Sequence, residues 1–190
     1  MTRPTLAESA IAAISVGLPL RPIPAPSIRP WAGHRLGTPT DHVGELWLAG
    51  PDTLVETAPG DLASLDEIAA AAGAAFVGSA ALRLLGPRFP LIVKLIDAAE
   101  RLSLQVHPSD ELAAELYGVD ALGKTEAWLV LDADPGAELI TGPAPDLSEA
   151  ELRAAVATGT LGHNDCEVRP ATPGDTLLIE TGTLHAIGAG

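Results

Sequence analysis

At 190 residues, 47% apolar and with a positive mean hydropathy, the chain is long and apolar enough to bury a core, which excludes a disordered class. A formal charge of −14 and a pI near 4.5 argue against a nucleic-acid or anionic-membrane partner. Cys166 is the only cysteine, so an intramolecular disulfide and a Cys-rich zinc site are excluded, and any zinc must be held by His, Glu and Gln.

Residues 1–30 read as an N-terminal extension. A short helix is expected around Leu6–Val16, followed by a connector from Leu18 to Pro30 whose five prolines force it to be extended. Ala10–Leu20 is apolar and follows Arg3, but Glu8 interrupts the approach, and Pro19 and Pro22 follow without a small-x-small cleavage site. A signal peptide is therefore not expected. No apolar run reaches the roughly 18–20 residues of a membrane span, and the cytoplasm is the expected compartment.

The domain proper, residues 31–190, opens at Trp31–Gly37. His42–Leu48 alternates and reads as a strand. Ser64 and Glu67 form a capping box ahead of Ile68–Ala72, a short helix that Gly73 stops. Leu91–Asp97 is a nearly continuous apolar run, as in a strand buried on both faces, with Glu100-Arg101 as a hairpin turn into the next strand.

That next stretch, Leu102–Pro108, alternates strictly. Leu102, Leu104 and Val106 share one face; Ser103, Gln105 and His107 share the other. Ser109 then caps a helix over 110–117 with Gly118 as its stop. Lys124, Glu126 and Trp128 share a face of the following strand, which runs to Leu131. Residues 132–136 turn into a strand over 137–141, and Ser148 with Glu151 caps a helix over 149–158 ended by Gly159. Short strands follow at 166–169 and 176–179, and Gly182-Thr183-Leu184-His185 comes last. Gln105, His107, Glu126 and His185 are oxygen and nitrogen donors suited to a zinc-like divalent metal. With 17 prolines and 19 glycines cutting the chain into short strands, the expected class is mainly β, a sandwich or jelly roll with helices packed outside.

Three blocks in this order resemble the zinc-dependent (type I) mannose-6-phosphate isomerases: Leu91–Asp97 into Gln105-Val106-His107-Pro108, Gly123–Trp128, and Gly174-Asp175 through Gly182–Gly188. Trp31-Ala32-Gly33 and Gly44-Glu45-Leu46-Trp47 are similar to earlier segments of that family. The resemblance covers roughly residues 30–190. It implies a cupin jelly roll (a double-stranded β-helix) and Zn²⁺ held by Gln105, His107, Glu126 and His185. It also implies an active-site lysine at Lys124 and interconversion of mannose 6-phosphate and fructose 6-phosphate through an enediol. Ser103 and Lys124 are the candidates for binding the hexose phosphate.

The sequence departs from the family in three places. The family continues past its last ligand histidine, where it supplies an arginine and closing strands; an incomplete barrel is thus expected here, with an open apolar edge that favours self-association. Glu180 stands where a proline is usual, and the Pro-rich extension has no counterpart. The alternative reading is a catalytically silent or partial zinc cupin that binds a phosphosugar or needs a second chain. Blander roles stand beside these. Either histidine could be a hydrogen-bonded rim residue, Lys124 could simply pair with a carboxylate, and Trp31, Trp47 and Trp128 could be core. Glu45 could support the site from a neighbouring strand, Cys166 reads as a small core residue, and His34, His42 and His163 are assigned nothing.

Overall fold

A computed structural model describes residues 11, 12, 14, 20–38, 40–58 and 60–190. The helix expected around Leu6–Val16 falls largely outside them. The chain is mainly β, with short helices, and divides into two compact units, the first ending at Asp97 and the second beginning at Ala98.

In the first unit the described part of the Pro-rich connector, residues 20–30, is extended, as the prolines require. It carries strand β1 (Ala25–Ile28), which pairs antiparallel with β2 (Val43–Ala49). On its other side β2 pairs with the later strand β5 (Val93–Ile96), giving the order β1-β2-β5. Between β2 and β5 lies a hairpin of β3 (Leu54–Ala58) and β4 (Asp61–Ser64), which the sequence reading missed. Ser64 then starts helix α1 (Leu65–Ala72). Its side chain accepts from Glu67 N while the Glu67 carboxylate accepts from Ser64 N, so the expected capping box is formed. Two further short helices, α2 (Ala74–Val77) and α3 (Ser79–Leu85), had no periodic signal. Val55, Ala63, Leu65 and Ile68 form the core of this unit, with Phe76 and Phe89 packed against it.

Two expectations for this region are corrected. The run Leu91–Asp97 is not a strand buried on both faces. Pairing begins only at Val93, the strand lies at the edge of its sheet, and Leu91, Ile92 and Val93 are exposed. Nor do Glu100 and Arg101 turn a hairpin. β5 takes β2 as its partner, whereas the chain after Arg101 pairs with residues near the end of the sequence. A continuous apolar run specifies burial pressure without naming the partner, and here the partner is non-local.

Asp97 closes this unit. Its backbone bonds to Gly44 and Gly33, and its carboxylate accepts from Arg35 N at 2.5 Å and from Arg35 Nη1 at 3.1 Å. Gly33 passes so close that a Cβ there would lie 2.5 Å from Asp97 Cγ. Gly33→Ala is therefore expected to destabilise the protein by about 1–3 kcal/mol, the usual cost of forcing an extra carbon into a packed site. Chemical denaturation would check it; an unchanged midpoint would show that the Asp97 loop yields freely.

The second unit holds the strand β6 (Glu126–Leu129) paired with β9 (Thr176–Ile179), and a sheet of order β10-β7-β8 from β7 (Glu138–Pro143), β8 (Cys166–Pro170) and β10 (Ala186–Ile187). Helices α4 (Asp110–Tyr117) and α5 (Glu149–Thr158) appear where their caps predict. Ser109 and Ser148 accept from the first-turn amides, and Gly118 and Gly159 end the helices. The alternating stretch Leu102–Pro108 is extended but not a full strand. It bonds to the 182–187 segment through Leu102 N to Ile187 O, a reciprocal Gln105–His185 pair, and Gly182 N to His107 O. Leu102 is buried as the alternation predicts; Val106, on the same face, is exposed. Cys166 packs with Ile140 and Ala186, and burial pushes its thiol pKa up, which suits a small core residue.

Candidate metal and active site

The antiparallel pairing of 102–107 with 182–187 has one chemical consequence. It puts Gln105 opposite His185 and brings His107 to the same end. The β6–β9 ladder independently fixes Glu126 opposite Ile179. Three donors from distant parts of the sequence then converge, with one ligand atom each from His107, Glu126 and His185 lying within 4.8 Å of one another. His107 Nε2 is 3.4 Å from Glu126 Oε1, His185 Nε2 is 3.8 Å from Glu126 Oε2, and the two imidazoles lie 4.8 Å apart between centroids.

The protonation states suit a cation. His185 is 2% exposed, and its Nδ1 sits 2.8 Å from the Thr183 carbonyl oxygen. Nδ1 must therefore carry the hydrogen, and in the neutral ring Nε2 presents a lone pair. That Nε2 is buried without a hydrogen-bond partner and faces the other two donors. An orphaned buried acceptor is costly unless something fills the gap, and a metal ion would. Burial, helped by the Lys124 charge, pushes the His107 pKa below the ordinary histidine range, against the pull of Glu126, and so favours the neutral, ligating ring. Burial works to raise the Glu126 carboxyl, but hydrogen bonds from Lys124 and Trp128 outweigh it and hold the group below the usual carboxylate range. Two imidazoles and a carboxylate make a nitrogen–oxygen set with room for further ligands.

Lys124 stands inside this cluster. Its Nζ bonds to Glu126 Oε1 and sits 3.4 Å from His107 Nε2, so it touches two of the three donors. The pairing with a carboxylate weighed from sequence is thus real, and it occurs within the site. Trp128 Nε1 donates to Glu126 Oε2 at 2.9 Å, and its ring meets His185 edge-on at 5.7 Å. Its place beside Glu126 follows from their shared strand face, but the hydrogen bond that orients the carboxylate could not be read from sequence, nor could the Thr183 carbonyl that sets the His185 tautomer. Gln105 is half-buried beside His185, its amide nitrogen 3.5 Å from the Ser103 carbonyl. Ser103 is exposed and lies outside the cluster of three donors. Glu45 belongs to the first unit, where it is buried among cationic partners.

Removal of the ammonium should be felt by a bound cation. Lys124→Met is expected to tighten divalent-metal binding about tenfold, the order of the repulsion between a partly exposed ammonium and a nearby dication. Chelator competition on wild type and variant checks this, and weaker binding in the variant would mean that Lys124 organises the donors more than it repels the ion.

A family model for the phosphomannose isomerase type I catalytic domain matches residues 35–125, a span containing Gln105, His107 and Lys124. A mannose-6-phosphate isomerase of Streptococcus mutans is 37% identical over 170 residues, covering 84% of this chain. The chain is thus similar to the type I phosphomannose isomerases. Mannose-6-phosphate isomerase ManA of Bacillus subtilis is 41% identical over 108 residues, 57% of this chain. A crystal structure of the mannose 6-phosphate isomerase from Bacillus subtilis superposes on 90% of this chain with a TM-score of 0.69 at 29% identity, and the architecture is the β-rich cupin fold of these phosphomannose isomerases. A zinc-bound holo mannose 6-phosphate isomerase matches with a TM-score of 0.64 at 17% identity, a likeness of fold. The chain spans 51% of the Streptococcus mutans relative's length, 33% of ManA's and 55% of the Bacillus subtilis structure's. Among the described residues no helix is long and apolar enough to cross a membrane.

Proposed function

We propose that this chain carries the metal-holding, lysine-bearing part of a zinc-dependent aldose–ketose isomerase that interconverts mannose 6-phosphate and fructose 6-phosphate in the cytoplasm. The observation that carries this reading is the convergence of His107, Glu126 and the orphaned His185 Nε2 around the Lys124 ammonium. Likeness to the type I phosphomannose isomerases supports the choice of reaction.

His107, Glu126 and His185 would hold Zn²⁺, with Gln105 beside them as the fourth ligand. When bound, zinc would polarise the sugar oxygens and stabilise the negative charge that develops during proton transfer. The reaction moves the C2 proton of the open-chain aldose to C1 and a hydroxyl proton from O2 to O1, passing through an enediol with a C1–C2 double bond. Lys124 assists by charge or proton transfer, with its ammonium placed to stabilise the oxygen that becomes negative as the C2–H bond breaks. Trp128 holds the Glu126 carboxylate in one orientation, and the Thr183 carbonyl keeps the His185 lone pair aimed inward. Ser103 and Lys124 are the groups offered to the phosphate.

The test is turnover of mannose 6-phosphate by the purified chain, measured zinc-loaded, after chelation and after zinc is restored, with His107→Ala as control. Turnover that follows zinc and disappears in the variant supports the isomerase. Zinc binding without turnover overturns it in favour of a metal-holding phosphosugar cupin that needs a second chain. Absence of zinc binding by the intact chain would remove both readings.

A further inference from the structure

We propose that Asp110 is a positioning residue for Lys124, acting through the backbone amide of Gly123. The segment bearing Lys124 crosses the start of helix α4, where Asp110 is the first helical residue. At the crossing, Gly123 N donates to Asp110 Oδ1 at 2.7 Å, and Lys124 N makes a longer 3.4 Å contact with the Pro108 carbonyl. The approach is closer than any side chain permits. A Cβ on Gly123 would lie 2.5 Å from Pro108 O, 2.7 Å from Ser109 C and 2.8 Å from Asp110 N, all backbone atoms that cannot move aside alone. Pro108 directly follows His107, so this crossing ties the lysine's backbone to the backbone of a metal-ligand candidate.

The two tethers of this stretch are separable. Glu126 is already fixed by the β6–β9 ladder and by Trp128. Residues 121–125 belong to no strand or helix; their described backbone amides are anchored by the Asp110 carboxylate and the Pro108 and Gly118 carbonyls, while the Lys124 ammonium is held by Glu126 and His107. Loss of the Asp110 carboxylate should therefore loosen the backbone that carries Lys124, and with it the hold of the ammonium on the cluster, while leaving the three metal donors in place. Asp110 does not touch the cluster itself. It acts by holding Gly123, and through it the lysine that the proposed isomerase reading makes functional.

The sequence contains two lysines, Lys94 and Lys124, which allows a test that does not depend on activity. Zinc-loaded wild type, Asp110→Ala and Asp110→Asn would be treated with limiting acetic anhydride, and acetylation at each lysine read by mass spectrometry. Lys94 lies in the other compact unit, bonded to Glu45, and serves as the internal reference. In Asp110→Ala the Lys124-to-Lys94 ratio is expected to rise about fivefold, the population change that loss of one hydrogen bond allows. Asp110→Asn, which keeps an acceptor oxygen, should return it to the wild-type value. An unchanged ratio, equal acceleration at both lysines, or failure of asparagine to restore it overturns the proposal. In the turnover assay Asp110→Ala should lower kcat/KM, and Asp110→Asn should restore it. A raised acetylation ratio in a chain without turnover would retire the isomerase reading and leave the positioning role standing.

Discussion

Replacing His185 by alanine is expected to remove the zinc-dependent rise in thermal stability altogether. Any ligand that binds the native state and not the unfolded one stabilises by RT ln(1 + [L]/Kd), about 2.7 kcal/mol at a hundredfold excess over Kd. For a chain of this size that amounts to roughly 5–10 °C in Tm. His185 supplies the one side-chain polar atom among the described residues that is buried without a hydrogen-bond partner, so the proposed cation site should depend on it most. Its loss should cost more than the roughly 10–100-fold in affinity typical of groups that only orient a ligand. The comparison is made with and without zinc for each protein, which cancels the cavity that alanine leaves at a position 2% exposed. Thr183 is a useful companion, because its backbone carbonyl, not its side chain, holds Nδ1. Thr183→Ala should keep the zinc response. If His185→Ala kept it too, the three converging donors would not be a metal site.

The second large effect lies at Glu45. This carboxylate is 4% exposed, yet it is fully engaged, accepting from Lys94 Nζ at 2.6 Å, Arg29 Nη2 at 2.7 Å and Trp47 Nε1 at 3.1 Å. The geometry follows from β2 being the central strand, since Glu45 stands opposite Ser27 of β1 and Ile96 of β5, with Arg29 and Lys94 arriving from the two flanking segments. Breaking a buried ion pair from one side costs about 3–5 kcal/mol. Arg29 and Lys94 keep part of their water, so Glu45→Ala is expected to cost nearer 2–3 kcal/mol.

Burial tends to raise the Glu45 carboxyl, but the hydrogen bonds from Lys94, Trp47 and Arg29 prevail and hold its pKa below the ordinary 4.5. A depressed folded-state pKa means that the contribution is complete above the unfolded-state value and disappears as pH falls through the folded one. The stability difference between wild type and Glu45→Gln should therefore be full at neutral pH, begin to shrink below about pH 4.5 and go on shrinking with further acidification. Denaturation at pH 7, 5 and 3 checks the sign. A difference that grows on acidification would mean that burial, not the cationic partners, governs this group.

His107 and Glu126 could be named as candidate donors because strand alternation is local. Gln105 and His107 share a face, as do Lys124, Glu126 and Trp128, and those spacings hold whatever the strands pair with. Helix ends were legible for a similar reason. Ser64, Ser109 and Ser148 start their helices where the caps place them, because a cap satisfies amides within three residues of itself. The run at 91–97 was misread because apolar content cannot tell a central strand from an edge strand. The hairpin at Glu100-Arg101 was misread because short connections are usual, and here the chain instead pairs across some eighty residues.

By itself, then, the sequence determined which side chains could ligate a metal, where three of the helices begin and stop, and which family the chain resembles. Only the tertiary structure decided that His107, Glu126 and His185 meet, that Lys124 sits among them, and that His185 Nε2 is left buried without a partner. It also revealed the Gly123–Asp110 crossing. The physical reason is range: caps and alternation are set by neighbours a few residues apart, whereas the site is made by pairing 102–107 with 182–187 and β6 with β9.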